Sequence, residues 1–446
     1  MASAAPAGRQ PNAWWVGVVC GMASYIDAAT IVATGIALVI YQYTIGITPT
    51  EIGILSGVLT LGIAVGAIFG GRLSDRYGRR NVFLTTMVII IAGIALLVFS
   101  TTFPLLLVGI VLAGLGTGAD LPVSLSTIAE AANDKNRGAI IGFSNILWTL
   151  GILGTILIAT IFGDAGHLGG QLLFGQVGII AIAVFVCRLT IPESNLWRAA
   201  RDERDRGVET IRADRAKVRD LLRAPYLAPF VALVVFYALV NVGANTGGQF
   251  GTYLAVNVAG ISVATNSLIG LLSFPIGLAG GLLFMKIVGG KHRMTFFTIG
   301  AVLLLCSYLV PAVFGFSIVT IVIMNVLGAS GGAFAFEGIM KVWTQESFPT
   351  LLRSTSQGTI IAVARVVAAL LAFATPALVA ISPQGLYAGL GVVVGIGLLV
   401  AWLTFRKDRG NQFDVEASID PAAVAGGETA AGAGEVAGAG TAASQS

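Results

Sequence analysis

The sequence predicts an all-α membrane protein of twelve transmembrane helices in two six-helix pseudo-repeats. Three observations carry this: the chain is 56% apolar and only 11% charged, apolar runs of about twenty residues or more recur along it, and a charged stretch near its middle divides them six and six. A soluble domain carries about 25% charged residues because its surface faces water. Runs of this length cross a hydrocarbon core of about 30 Å at about 1.5 Å per helical residue. A transmembrane β-barrel would need segments of about ten residues with in-and-out alternation. The run from Val82 to Ser100 shows none.

Charged or turn-rich breaks place the spans at 14–40, 50–71, 81–101, 104–131, 137–163, 170–191, 225–257, 263–288, 293–313, 316–345, 355–380 and 383–405. Residues 1–13 read as a cytoplasmic N-terminal segment, 14–191 as the first bundle and 225–405 as the second. Between them 192–224 is a charged linker whose Arg and Glu content suits an amphipathic cytoplasmic helix. The Ala- and Gly-rich tail, 406–446, has too little apolar surface to fold and is expected to be a disordered cytoplasmic extension. The first apolar run follows a polar start and is too long for a signal core, so it is expected to remain as the first span. Cys20, Cys187 and Cys306 lie in apolar runs without ligand-like spacing and read as packing residues. His167 and His292 read as loop residues without a catalytic role.

Lys and Arg are retained on the cytoplasmic side of a membrane, so counting them loop by loop orients the chain. Arg9, the loop from Arg72 to Arg80, Lys135, Arg137, the central linker, the turn from Lys286 to Arg293, Lys341, Arg353 and the run from Arg406 to Arg409 fall on one side. The connections near Thr44, Thr102, Gly166, Ala259, Gly315 and Pro383 hold neither Lys nor Arg. Both termini are therefore expected in the cytoplasm, with the chain multi-pass in the cell (inner) membrane. The net charge of +4 is a topology signal rather than a sign of nucleic acid as a partner. The halves also repeat. Glu130 with Arg137 and Glu346 with Arg353 are two pairs of equal spacing, displaced by 216 residues. Two related bundles are the architecture in which a solute site lies between halves that rock about it.

After the second span the chain reads Gly71-Arg72-Leu73-Ser74-Asp75-Arg76-Tyr77-Gly78-Arg79-Arg80. This resembles the signature of the major facilitator superfamily at the same loop. Glycines there permit a tight turn, Asp75 suits a helix N-terminus, and arginines suit pairing with carboxylates. Within that superfamily the chain is similar to the sugar porters, since Pro192-Glu193-Ser194 follows the sixth span and Glu346-Ser347-Phe348-Pro349 with Arg353 follows the tenth. The resemblance spans nearly the whole chain. It implies that Asp75, Arg79, Glu130, Arg137, Glu193, Glu346 and Arg353 are gating residues, forming a cytoplasmic network that holds the halves together while the transporter is open outward. Two departures stand out. The sugar-porter motif after the twelfth span is replaced by Phe405-Arg406-Lys407-Asp408-Arg409-Gly410. Leu112 stands near the place of the fourth-span arginine that pairs with a first-span aspartate in proton-coupled sugar porters. The run from Trp343 to Pro349, together with an aspartate in the first span, is similar to bacterial inositol transporters.

Nearly all the charged residues fall in loops or near span ends, which leaves Asp27, Asp120, Glu337 and Arg365 as candidates for the membrane interior. Each costs about 2.5–3.5 kcal/mol at a bilayer centre by insertion scales, so they must face one another or water. Asp27 matches the sugar porters' first-span aspartate, and the resemblance makes it the leading proton-coupling candidate. Its other reading is a carboxylate satisfied by hydroxyls such as Thr30. Glu337 and Arg365 are predicted to form a buried ion pair, structural or switching, and Asp120 to be a second titrating group. On the seventh span Asn241, Asn245, Gln249 and Tyr253 recur every fourth residue and share one face. Amides donate and accept, which suits a polyol, although the same groups also serve helix–helix bonding. Asn145, Trp148 and Thr149 form a second substrate-binding candidate cluster, Asn145 at a position that often carries a sugar contact in sugar porters. Trp343 reads either as a stacking surface for the solute or as an interfacial anchor.

The predicted function is secondary active transport: proton-coupled uptake of a sugar or cyclitol such as inositol by alternating access. The expected partners are the solute, the proton and the bilayer, with the chain a monomer and without cofactor or metal. The alternatives are a symporter of organic acids, with Arg365 holding a carboxylate, then a drug exporter, then a transporter-like sensor. An enzyme is disfavoured because no nucleophile with a matching base, metal cluster or phosphate-cradling loop stands out.

Overall fold

The computed structural model describes residues 12–131, 137–194, 198, 221–223, 226–288, 290–348 and 350–406. Among them are thirteen long helices: α1 (Ala13–Thr44), α2 (Pro49–Tyr77), α3 (Arg79–Val98), α4 (Phe103–Ala131), α5 (Arg137–Phe162), α6 (His167–Arg188), α7 (Leu227–Asn257), α8 (Val263–Ile287), α9 (Arg293–Phe314), α10 (Ile318–Ala335), α11 (Glu337–Ser347), α12 (Thr350–Ile381) and α13 (Pro383–Phe405). Eleven stretches are long and apolar enough to cross a membrane, and Ile146–Phe162 of α5 is a shorter apolar one. This gives the expected twelve spans, because α10 and α11 share one. The linker at 199–220 and the tail beyond 406 lie outside the described residues.

The tenth span corrects an expectation. Residues 316–345 read as one helix, but the backbone at Phe336 leaves the helical region, with φ −133° and ψ −124°. Phe336 carries no breaker signal, so local sequence could not place the break. The helix that restarts there opens on Glu337, and an acid in a first turn is favoured by the helix dipole.

Within the first bundle, α4 packs against α2 and α3, while α1 packs against α5 and α6. In the second, α7 packs against α12 and α13, and α10 against α8 and α9. The bundles meet through α1 with α7, α2 with α12, and α5 with α8. Lipid is no poorer a solvent for Leu than Leu itself, so such contacts need close approach rather than hydrophobicity. Glycine supplies it. A Cβ on Gly35 would come within 2.9 Å of the Gln249 carbonyl oxygen, and one on Gly57 within 2.6 Å of the Phe373 ring.

The polar contacts between bundles gather toward the end that lacks Lys and Arg. Asn257 of α7 accepts from Tyr43 Oη at 2.9 Å and from Gln42 Nε2 at 3.1 Å, and donates to Gln42 Oε1 at 3.2 Å. Asp164 accepts from the Ala264 amide at 3.2 Å. Deeper in, Gln249 donates to Thr60 of α2 at 2.6 Å. At the basic end the hydrogen bonds described run within one bundle. Arg79 bonds Glu130 at 3.0–3.1 Å, Glu193 accepts from the amides of Arg79 and Arg80, and Arg293 grips Glu346 at 2.6 Å and 2.9 Å.

Candidate functional site

Near the middle of α1, Asp27 is 1% exposed, with a 3.8 Å approach of its Oδ2 to Arg365 Nη2 on α12. This ion pair joins the two bundles. At that distance it is an electrostatic contact without a hydrogen bond, and Asp27 Oδ1 has no partner. Thr30 does not satisfy it, because its hydroxyl donates to the Ile26 carbonyl at 2.7 Å. Trp148 on α5 is a hydrogen-bonding neighbour of the same carboxylate.

The expected Glu337–Arg365 pair divides into two. Glu337 bonds Lys341 at 2.7 Å, one turn along α11, while Arg365 turns to Asp27 and still acts on Glu337 through space. The reason is geometric: residues four apart on one helix always meet, whereas partners on different helices depend on how each is rotated. Tyr237 of α7 completes the group. It is buried, stacks on Phe336 with centroids 5.6 Å apart, hydrogen-bonds Asn241, and lies within the field of Glu337, Arg365 and Asp27. Neither Tyr237 nor Lys341 was singled out from sequence as part of the site. Tyr237 is one helical turn before Asn241 on the same stripe, so extending the four-residue spacing backward would have found it.

The α7 stripe serves two purposes. Asn241 belongs to the charged cluster, whereas Gln249 donates to Asn245 Oδ1 at 2.9 Å and to Thr60. Tyr253 is buried, edge-on to Phe250, and the spacing continues to Asn257 at the end that lacks Lys and Arg. Several buried polar atoms nearby lack partners: Gln249 Oε1, Thr34 Oγ1 one residue before Gly35, and Ser56 Oγ one turn before Thr60. An unpaired buried group costs about 1–3 kcal/mol, so each of these atoms is a standing cost of this conformation.

Other candidates land elsewhere. Asp120 sits in the first bundle with Arg188, which is fully buried; both guanidinium nitrogens Nη1 and Nη2 bond the carboxylate, Nη2 also bonds Ser124 at 2.9 Å, and Thr86 donates to Asp120 at 3.0 Å. Arg188 closes α6 and was not singled out from sequence, because it stands near the end of the sixth span. Trp343 is neither an anchor nor an open stacking surface. It is 1% exposed, stacked on Phe405 at 4.3 Å and flanked by Phe236 and Phe297. Two residues along a helix is about 200°, so Trp343 faces away from Lys341 and into its own bundle. Thr149 lies beside Trp148 on α5 and is partly buried. Of the gating candidates, Arg79, Glu130, Glu193 and Glu346 make the bonds given above. The side chains of Asp75, Arg137 and Arg353, and of the substrate candidate Asn145, lie outside the described residues.

Two six-span bundles in lipid, joined at one end and sharing a buried charge pair at mid-depth, make a membrane transporter rather than an enzyme. The Major Facilitator Superfamily model matches residues 16–376, and the chain belongs to that superfamily. The minor myo-inositol transporter IolF of Bacillus subtilis (strain 168) is 33% identical over 349 residues, covering 76% of this chain and 78% of that protein. The niacin transporter NiaP of Acinetobacter baylyi is 34% identical over 148 residues, 33% of each chain. Among solved structures, a D-xylose-proton symporter superposes with TM-score 0.72 at 18% identity, covering 88% of this chain and 98% of that one. An inward open conformation of the xylose transporter XylE from E. coli gives TM-score 0.71 at 17% identity, covering 91% and 99%. At these identities the structural likeness is one of fold.

Proposed function

We propose that the protein takes up a cyclitol of the inositol type, or a closely related sugar, together with a proton, by alternating exposure of a site between its two bundles. The observation that carries this reading is Asp27: a buried carboxylate with one oxygen unpartnered and the other 3.8 Å from a cation of the opposite bundle. Ionised, Asp27 attracts Arg365 across the interface; protonated, it does not, and Arg365 is released toward Glu337. Proton occupancy thereby biases how the bundles sit, which is what coupling requires. The unpaired oxygens of Gln249, Thr34 and Ser56 supply acceptors, and the two hydroxyls also donors, for a ligand with many hydroxyls. The similarity to an inositol transporter across three quarters of the chain supports this substrate class.

In this reading both termini and the basic end lie in the cytoplasm. The bundles are then closed toward the outside, and the Arg79–Glu130 and Arg293–Glu346 pairs sit in separate halves of the cytoplasmic gate. The chain works as a monomer, since each chain holds its own site. Asp120, held by Arg188, Ser124 and Thr86, is structural rather than a second proton carrier.

Labelled myo-inositol uptake into proteoliposomes, with and without an inward proton gradient, tests the proposal. Gradient-driven accumulation that Asp27→Asn abolishes is expected, with exchange of inositol across the membrane retained in that variant. Uptake indifferent to the gradient would remove the coupling. A second reading, uptake of an aromatic acid held by Arg365, is favoured by the similarity to a niacin transporter. Competition by nicotinate but not by inositol would select it.

A further inference from the structure

On the flank of the first bundle, α2 and α3 part toward the basic end over a floor made by α4. The groove between them, about 360 Å³, is walled by Val65, Phe69 and Leu73 of α2 and by Val82 and Ile89 of α3, with Leu115 and Ala119 beneath. That volume is in the range of small-ligand sites. Its asparagine and threonines are engaged by the protein. Asn81 donates to the Tyr77 carbonyl at 3.2 Å, Thr85 to the Asn81 carbonyl at 2.9 Å, and Thr86 to Asp120. The groove therefore presents mostly hydrocarbon, with Tyr77 and Asn81 at its rim toward the basic end.

Directly beyond it, sharing Tyr77 and Asn81, lies a recess of about 460 Å³ formed by Arg80, Thr190, Glu193 and Arg198. Its carboxylate is already engaged, since Glu193 accepts from the amides of Arg79 at 2.9 Å, Arg80 at 3.2 Å and Ser194 at 3.0 Å. Arg79 points away into the bundle, toward Glu130. Arg80 gives Nε to the Ile191 carbonyl and Nη2 to the Leu189 carbonyl, both neutral acceptors, and among the described residues no carboxylate forms an ion pair with it. A recess with two cations stands at the helix ends, where headgroups lie, and opens onto an apolar groove that runs into the spanning region.

We propose that groove and recess together bind one anionic phospholipid, its phosphate against Arg80 and Arg198 and an acyl chain between α2 and α3. Charge and polarity run in the order of a lipid molecule: anion-binding at the membrane surface, hydrocarbon below. A free anion would need only the recess, and a second protein helix would leave the arginines unanswered.

The test uses the full-length purified protein in detergent, titrated with phosphatidylglycerol or phosphatidylcholine of the same acyl chains and read by native mass spectrometry. Phosphatidylglycerol is expected to bind first and more tightly. Arg80→Gln and Arg198→Gln should each weaken it about five-fold without changing phosphatidylcholine binding. Thr85→Trp, which fills the groove, should weaken phosphatidylglycerol but leave binding of glycerol phosphate as it was. Equal affinity for the two lipids, or full competition by glycerol phosphate, would overturn the proposal. If a variant fails to fold, a phosphatidylglycerol with a photoactivatable acyl chain decides on the unmodified protein: cross-links must map to Phe69, Leu73 or Ile89, and a scatter over all lipid-facing helices refutes the site.

Discussion

Asp27 and Asp120 are both 1% exposed, yet their surroundings differ. Asp120 has its charge answered on both oxygens by Arg188, so neutralising Arg188 alone leaves a carboxylate stranded. Arg188→Leu is expected to destabilise the protein by about 3–5 kcal/mol, seen as a lower midpoint of thermal unfolding in detergent. Replacing both partners, Asp120→Leu with Arg188→Met, should recover most of that loss, because a packed apolar pair has no desolvation to offset. Asp27 has one oxygen without a partner and its nearest cation at 3.8 Å, which is why the proposed function gives it the coupling proton. Each pH unit of gradient is worth about tenfold accumulation per coupled proton, about 1.4 kcal/mol. In Asp27→Asn accumulation should fall to the level without a gradient, measured as the steady-state ratio of labelled solute inside and outside proteoliposomes.

At the scale of the helix, α1 and α7 approach closely enough that Gly35 lies against the Gln249 backbone. A side chain there must push the helices apart, a cost of about 1–3 kcal/mol for overpacking. Gly35→Val is therefore expected to disfavour the state closed at the Lys- and Arg-free end. Its effect would appear as faster thiol labelling of a cysteine placed at Thr60, with uptake reduced about tenfold. Because α10 ends at Ala335 and α11 restarts at Glu337, Glu337 and Lys341 stand on a helical segment of their own within the tenth span. The stripe on α7 spans from this cluster to the contact between bundles, since Asn241 belongs to the charged cluster while Asn257 clasps Gln42 and Tyr43. Asn257→Ala should loosen only the clasp, raising the apparent KM for uptake a few-fold while leaving the gradient dependence intact.

For the molecule as a whole, the separation of contacts between its two ends sets what it can do. Interlocked glycines and amides hold the bundles at one end, and the arginine–glutamate pairs at the other each stay within a bundle. Rocking then exchanges one set of contacts for another without unfolding either half. The orientation proposed from basic residues can be read directly: reporters fused after Arg80 and after Lys291 should report the cytoplasm, and reporters after Thr102 and Ala259 the outside. A cytoplasmic signal at Thr102 would invert the direction of transport.

Sequence by itself determined the all-helical membrane fold, its twelve spans and the superfamily they belong to. These follow from hydropathy, charge and short motifs, all of which are local properties of a chain in lipid. Only the tertiary structure decided who meets whom across helices. Asp27 faces Arg365 rather than Thr30, Glu337 takes Lys341, Asp120 finds Arg188, and Trp343 turns into an aromatic core. Each depends on how far a helix is rotated about its axis and which neighbour it is packed against. No property of a single span fixes those two quantities; the close packing of all of them does.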